Sequence, residues 1–149
     1  MRFKTAVLPP AAIALAVALG SAMPAQGQDL KLPEGVTQAM IDEGKTIFGG
    51  AGLCLTCHGQ DGSGTPVGPN LTDTTWLHID GSFDAIVNLI NTGVPQPKEA
   101  MVPMLAKGGS DISAEQVRAV AAYVWSLCRT KAAGGGSSPD ACTVAKAPN

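Results

Sequence analysis

Aromatic side chains are scarce in this chain. Its 149 residues include three phenylalanines, two tryptophans and one tyrosine. Eighteen glycines dilute the packing material further. A domain of this length has a thin core by the usual accounting. A large buried group that is not a side chain would repair the shortage, so the composition is that of a protein with room for a cofactor.

Long apolar runs are also missing. The uncharged stretch from Ala6 to Gly20 is too short and too alanine-rich for a bilayer span, which takes roughly 20 apolar residues. With Arg2 and Lys4 before it and the small residues Ala22, Ala25 and Gly27 after it, it reads as a signal peptide over residues 1–27. An uncleaved N-terminal anchor is the alternative. No cysteine lies near the cleavage region, which argues against a lipid anchor. The mature chain is therefore expected outside the cytoplasm, in the periplasm, with no membrane span.

A basic excess is absent as well. Taking Arg2 and Lys4 from the 10 basic residues leaves 8 against 12 acidic ones, a formal charge of −4. That excludes nucleic acid and an anionic membrane surface as natural partners and suits docking onto a more basic protein face.

No strand pattern of note and no internal repeat occurs; helical periods do. Apolar residues recur at Val36, Met40, Ile41, Ile47 and Phe48, with Gly44 and Phe48 on one face. "SFDAIVNLIN", Ser82 to Asn91, reads as a short helix with Phe83, Ile86, Val87 and Ile90 on its apolar side. The clearest helix spans Ala114 to Cys128, with Ser113 as N-cap and Gln116 completing a capping box. Val117, Val120, Ala121 and Val124 form its stripe, and Trp125 reads as surface or partner-facing. Between the helices lie the Gly/Pro-rich loops "GQDGSGTPVGPNL" and "VPQPKEAMVPMLAKGGSD". Residues 129–149 read as an irregular tail, and residues 28–128 as one small all-α domain.

The chemistry sits in "CLTCH", Cys54 to His58. Two cysteines at this spacing serve a zinc half-site, a thioredoxin-type redox pair, or covalent haem attachment. Structural zinc needs four ligands, commonly from a second such pair, and Cys128 and Cys142 are not so spaced. A redox pair sits in a βαβ setting that this chain lacks. Haem attachment uses all three residues at once: Cys54 and Cys57 form thioethers with the vinyl groups, and His58 coordinates iron. A second axial ligand must come from His78, Met23, Met40, Met101 or Met104, and residue chemistry alone does not choose among them.

From about Glu43 to Leu127 the chain resembles class I c-type cytochromes, particularly the bacterial monohaem group similar to cbb3-oxidase cytochrome subunit domains. The matching pieces are "GKTIF", "CLTCHG", "DGSG", "GPNLTD", "WLHIDGS" and "AVAAYVWSL". The resemblance implies three to four helices wrapped around one covalently bound haem c. It lines up Met104 with the ligand methionine through Gly108-Gly109, with Met101 as alternative. Leu105 stands where that family expects proline. The resemblance also implies that the Pro69 carbonyl accepts the Nδ1 proton of His58, that Gly44 and Phe48 cross the last helix near Tyr123, and that Trp76 either bonds a haem propionate or simply packs.

Cys128 and Cys142 lie outside that core. In an oxidising compartment two such thiols pair, closing a loop of about 15 residues worth roughly 3 kcal/mol in the chain-entropy model. Two free thiols, or bonds to a partner, are the alternatives. The whole reads as a one-electron carrier and not an enzyme, exchanging electrons with a redox-protein donor and acceptor such as a dehydrogenase and a terminal oxidase. Two other roles stay open: a haem subunit of a periplasmic, quinoprotein-type dehydrogenase, and a haem sensor or enzyme whose methionine dissociates.

Overall fold

A computed structural model of the protein describes residues 30–134 and 139–142. The signal-peptide reading of residues 1–27 falls outside the described residues. Four α-helices follow in order: α1 Gln38–Gly49, α2 Leu55–His58, α3 Phe83–Thr92 and α4 Ala114–Gly134. Single 3-10 turns lie at Ala106–Gly109 and Pro139–Cys142. Among the described residues β-type pairing is limited to two isolated bridges, Thr65 with Gly68 and Val94 with Met104. No described helix is long and apolar enough to cross a membrane. The domain is all-α, as its periodicities imply.

Side-chain caps open α1 and α4. Thr37 Oγ1 accepts the Met40 amide at 3.2 Å and opens α1. Both bonds of the capping box form on α4: the Gln116 amide donates to Ser113 Oγ at 3.2 Å, and the Ser113 amide donates to Gln116 Oε1 at 2.9 Å. At α3, Ser82 makes no side-chain cap, and the Asp80 carboxylate takes the Ser82 amide instead.

The core is built on α4. Val117 and every residue from Ala119 to Trp125 are buried, so this helix is covered on nearly all sides. α1 contributes Ile41, Ile47 and Phe48, and α3 contributes Phe83, Ile86 and Ile90. Where α1 meets α4 the backbones come together at Gly44. A Cβ there would run into the Ala119 carbonyl and press on the Tyr123 Cβ. Beside this contact the Phe48 and Tyr123 rings meet edge-on at 5.3 Å between centroids. Arg118 lies 5.0 Å over the Phe83 ring and ties α4 to α3.

Two expectations need correction. The irregular tail does not begin at Arg129, because α4 continues to Gly134. Its last turns are held by Arg129, which donates to the Trp125 carbonyl, and by Thr130 Oγ1, which donates to the Ser126 carbonyl at 2.7 Å. Lys131, Ala132 and Ala133 are good helix formers in addition. Trp125 is not on the surface: it is buried, with the Arg129 guanidinium 4.1 Å above its ring.

The α1–α4 contact predicts that Gly44→Ala forces the helices apart. The expected cost is about 1–3 kcal/mol or more, read as a lower midpoint in thermal unfolding.

Candidate functional site

The cysteine-containing turn follows α1 directly. Gly50 and Gly52 donate their amides back to Ile47, and Leu53 takes a left-handed φ of 55°. This sharp reversal sets α2 against the end of α1. The Cys54 and Cys57 thiols are both free and half-buried. Burial pushes the Cys54 pKa up, while its own backbone hydrogen bond pulls it down and the nearby Cys57 adds a smaller upward push.

His58 ends this short helix and is 9% exposed. Its Nδ1 lies 2.9 Å from the Pro69 carbonyl oxygen. A carbonyl only accepts, so Nδ1 carries the proton and Nε2 keeps its lone pair. Burial lowers the His58 pKa, and the Pro69 bond partly offsets this. The side chain is therefore held as a neutral imidazole in one orientation, the state a metal ligand needs.

The loop bearing Pro69 reaches His58 because Gly68 has no side chain. A Cβ there would stand 2.6 Å from the Cys57 carbonyl oxygen. Thr65 adds a hydroxyl bond to the same carbonyl. Asn70 Oδ1 then accepts both the amide and the hydroxyl of Thr72 at 2.8 Å, fixing the loop beyond.

A cavity of about 240 Å³ opens beside this turn. Cys54, Cys57, His58, Pro69 and Met104 all line it, with Ile79, Ile86, Leu89, Ile90, Val120 and Val124 forming apolar walls. Met104 is pinned by a reciprocal pair of backbone bonds with Val94, at 2.8 and 3.0 Å. Leu105, which replaces the expected proline, has φ −71° and ψ 155°. Proline's ring would impose nearly the same φ, so the loop keeps a proline-like path without it. Of the other candidate ligands, Met23 lies outside the described residues. Met101 is 77% exposed and does not line the cavity, Met40 packs against the core, and His78 is exposed at the cavity wall.

Some features of the site were not readable in advance. Leu53, Val102 and Leu105 form an exposed apolar rim. Trp76 lines the cavity, and its Nε1–H donates to the Cys142 carbonyl at 2.8 Å. That carbonyl belongs to the pair Cys128 and Cys142, whose bonding was an expectation of the sequence and whose Cα atoms lie 5.9 Å apart in this structure. Nothing in local sequence links residue 76 to residue 142.

An oriented neutral imidazole, two free thiols beside it and an apolar cavity fit a flat, apolar, metal-bearing ring attached through sulfur. Among the described residues no group of three or more His, Cys, Asp and Glu side chains is gathered to hold a metal by itself. The fold and this site define a c-type cytochrome domain.

Comparison with known proteins gives the particular family. Residues 39–124 match the family "Cytochrome C oxidase, cbb3-type, subunit III", and the chain belongs to that family. It is 39% identical over 93 residues to the cbb3-type cytochrome c oxidase subunit FixPc of Rhizobium leguminosarum bv. viciae, covering 56% of this chain and 31% of the relative. It is 42% identical over 84 residues to the subunit CcoP of Rubrivivax gelatinosus, covering 56% of this chain and 25% of that one. The chain thus spans less than a third of the length of these two relatives. A solved structure, cytochrome cL of Methylophaga aminisulfidivorans, is similar at TM-score 0.47 and 20% identity, over 61% of this chain and 57% of that one. Members of the cytochrome c family carry covalently attached haem c with iron, the group the cavity fits.

Gly68→Ala should push the Pro69 loop off the Cys57 backbone and break the 2.9 Å bond to His58. A fall of about 1–3 kcal/mol in stability and a lower yield of haem-loaded protein are expected, measured by thermal melts and absorbance.

Proposed function

We propose that this chain is an exported one-electron carrier whose haem c is tethered by Cys54 and Cys57 and ligated by His58 and Met104. The chain is a cytochrome c family electron carrier related to cbb3-oxidase subunits; the residue roles, the periplasmic setting and the partners are our reading. The observation that carries it is one apolar cavity bordered by His58 with a free Nε2, both thiols and the pinned Met104.

Bound haem supplies an iron that alternates between ferric and ferrous by single electrons. The chain's own residues prepare it for that. Pro69 holds the His58 ring in one tautomer and raises its strength as a donor. Met104 offers a soft thioether that favours ferrous iron and raises the potential. Both side chains sit on backbone fixed by hydrogen bonds, so little has to move when charge changes. His58 and Met104 would hold the iron between them and leave no position for substrate, which fits a carrier and not an enzyme. The exposed rim of Leu53, Val102 and Leu105 offers a small apolar contact for transient docking.

The relatives are named as cbb3-type oxidase subunits; in our reading a terminal oxidase is the acceptor and a dehydrogenase or another redox protein the donor. A role as a dedicated dehydrogenase subunit differs from this only in how tightly the partner is held. Capture of partners from periplasmic and membrane fractions separates the two. An oxidase released as salt rises supports the carrier, since screened surface charge then holds the pair. A dehydrogenase retained through the salt step overturns it.

Two variant sets test the site. Cys54→Ser/Cys57→Ser should give protein from which haem is extracted by acid and organic solvent, whereas wild type retains it. Met104→Ala should abolish the sulfur-to-iron absorption band of the ferric protein and let the ferrous protein bind carbon monoxide. Met101→Ala should leave both properties as in wild type.

A further inference from the structure

Cys128, Arg129 and Cys142 lie beyond the family match, which ends at residue 124, yet they reach back to the wall of the cavity. The Cys142 carbonyl accepts the Trp76 indole N–H at 2.8 Å, across 66 positions of chain. Gly81 faces this bond, so that a Cβ on it would collide with both Trp76 Nε1 and the Cys142 carbonyl oxygen. The Gly81 carbonyl in turn accepts from Arg129 Nη2 at 3.3 Å. Arg129 is only 5% exposed; it lies against Trp125 and donates to that residue's carbonyl at 2.9 Å. Two groups from the end of the chain therefore grip both ends of the segment from Trp76 to Gly81, and Trp76, Leu77, His78 and Ile79 of that segment line the cavity.

An indole on a cavity wall needs a partner for its N–H, and that partner fixes the ring. Here the partner is a backbone carbonyl in the single turn Pro139–Cys142, too short to hold itself in place. Its covalent tie is the bond to Cys128 on α4. We propose that the Cys128–Cys142 disulfide is a positioning device for the haem cavity: it holds the Cys142 carbonyl against Trp76 and so sets the wall that faces the haem. This inference rests on the haem reading of the cavity. The device is a staple and not a switch, because both cysteines are buried, at 1% and 0% exposure, and exchange with an external thiol needs access to the sulfur.

The test uses the haem-loaded protein as wild type, Cys128→Ala/Cys142→Ala, Trp76→Phe and the combination of all three changes. Each is equilibrated in the same redox buffer, and the ferrous-to-ferric ratio is read from the visible spectrum. Removing the staple or the indole N–H is expected to change that ratio by about threefold or more, since burial and hydrogen bonding around a haem tune its potential. The combined variant should shift no further than the larger of the two, because both changes break one link. A staple that only added global stability would lower the melting temperature and leave the ratio alone. A cysteine-free variant with the wild-type ratio overturns the proposal, as does full additivity in the combined variant. Trp76→Phe keeps the staple, so an unmoved ratio there overturns the proposal even if the alanine pair fails to fold. Covalent retention of haem, checked on the same samples, reports separately on the function proposed above.

Discussion

The contact on which the rest of the structure depends is the close approach of α1 to α4 at Gly44 and Ala119. Helices whose backbones touch leave no room for side chains between them, so the neighbouring residues are pushed to either side. On one side Phe48 and Tyr123 meet edge-on and close the junction. Phe48 also faces the cavity, and the cysteine turn starts from the end of α1 just beyond it. Moving α1 by the width of a methyl group would carry the cysteine turn with it. The position of the chemistry is thus set by a missing side chain some ten residues upstream.

A chain with this few aromatics gains from such economy. Its core adds small and branched aliphatic residues to the aromatics Phe48, Phe83, Tyr123 and Trp125, and α4 lends nearly every face to it. What the side chains leave unfilled is a cavity bordered by the turn that carries His58. The loops around it have little regular structure, but their backbone is held by bonds from Thr65, Asn70 and Asp80 and by the Val94–Met104 pair. Order without repetitive structure suits a redox site, because a rigid surround keeps ligands in place through both charge states. The same need explains why Leu105 follows a proline-like path although it lacks the ring.

The end of the chain adds a separate layer to this plan. Arg129 is a buried cation whose guanidinium covers an indole and bonds two carbonyls, so its desolvation is offset by directed contacts. Together with the cysteine pair it turns the last turns of α4 into a cover for the Trp76–Gly81 segment. A stretch outside the family's domain therefore takes part in shaping the site inside it.

By itself the sequence determined whatever rests on short spacing. The helical periods, the Ser113–Gln116 box and the meaning of two cysteines followed by a histidine all depend on residues within a turn or two of each other, and each was legible there. Met104 and the Pro69 carbonyl needed a family resemblance, because both reach the cavity on loops whose approach has no local period. The burial of Trp125 and the partner of Trp76 were decided by the tertiary structure alone. Arg129, which covers Trp125, reaches Gly81 across 48 positions, and Trp76 bonds Cys142 across 66. Such contacts form only once α1, α3 and α4 have brought distant segments together, and no spacing rule along the chain encodes them.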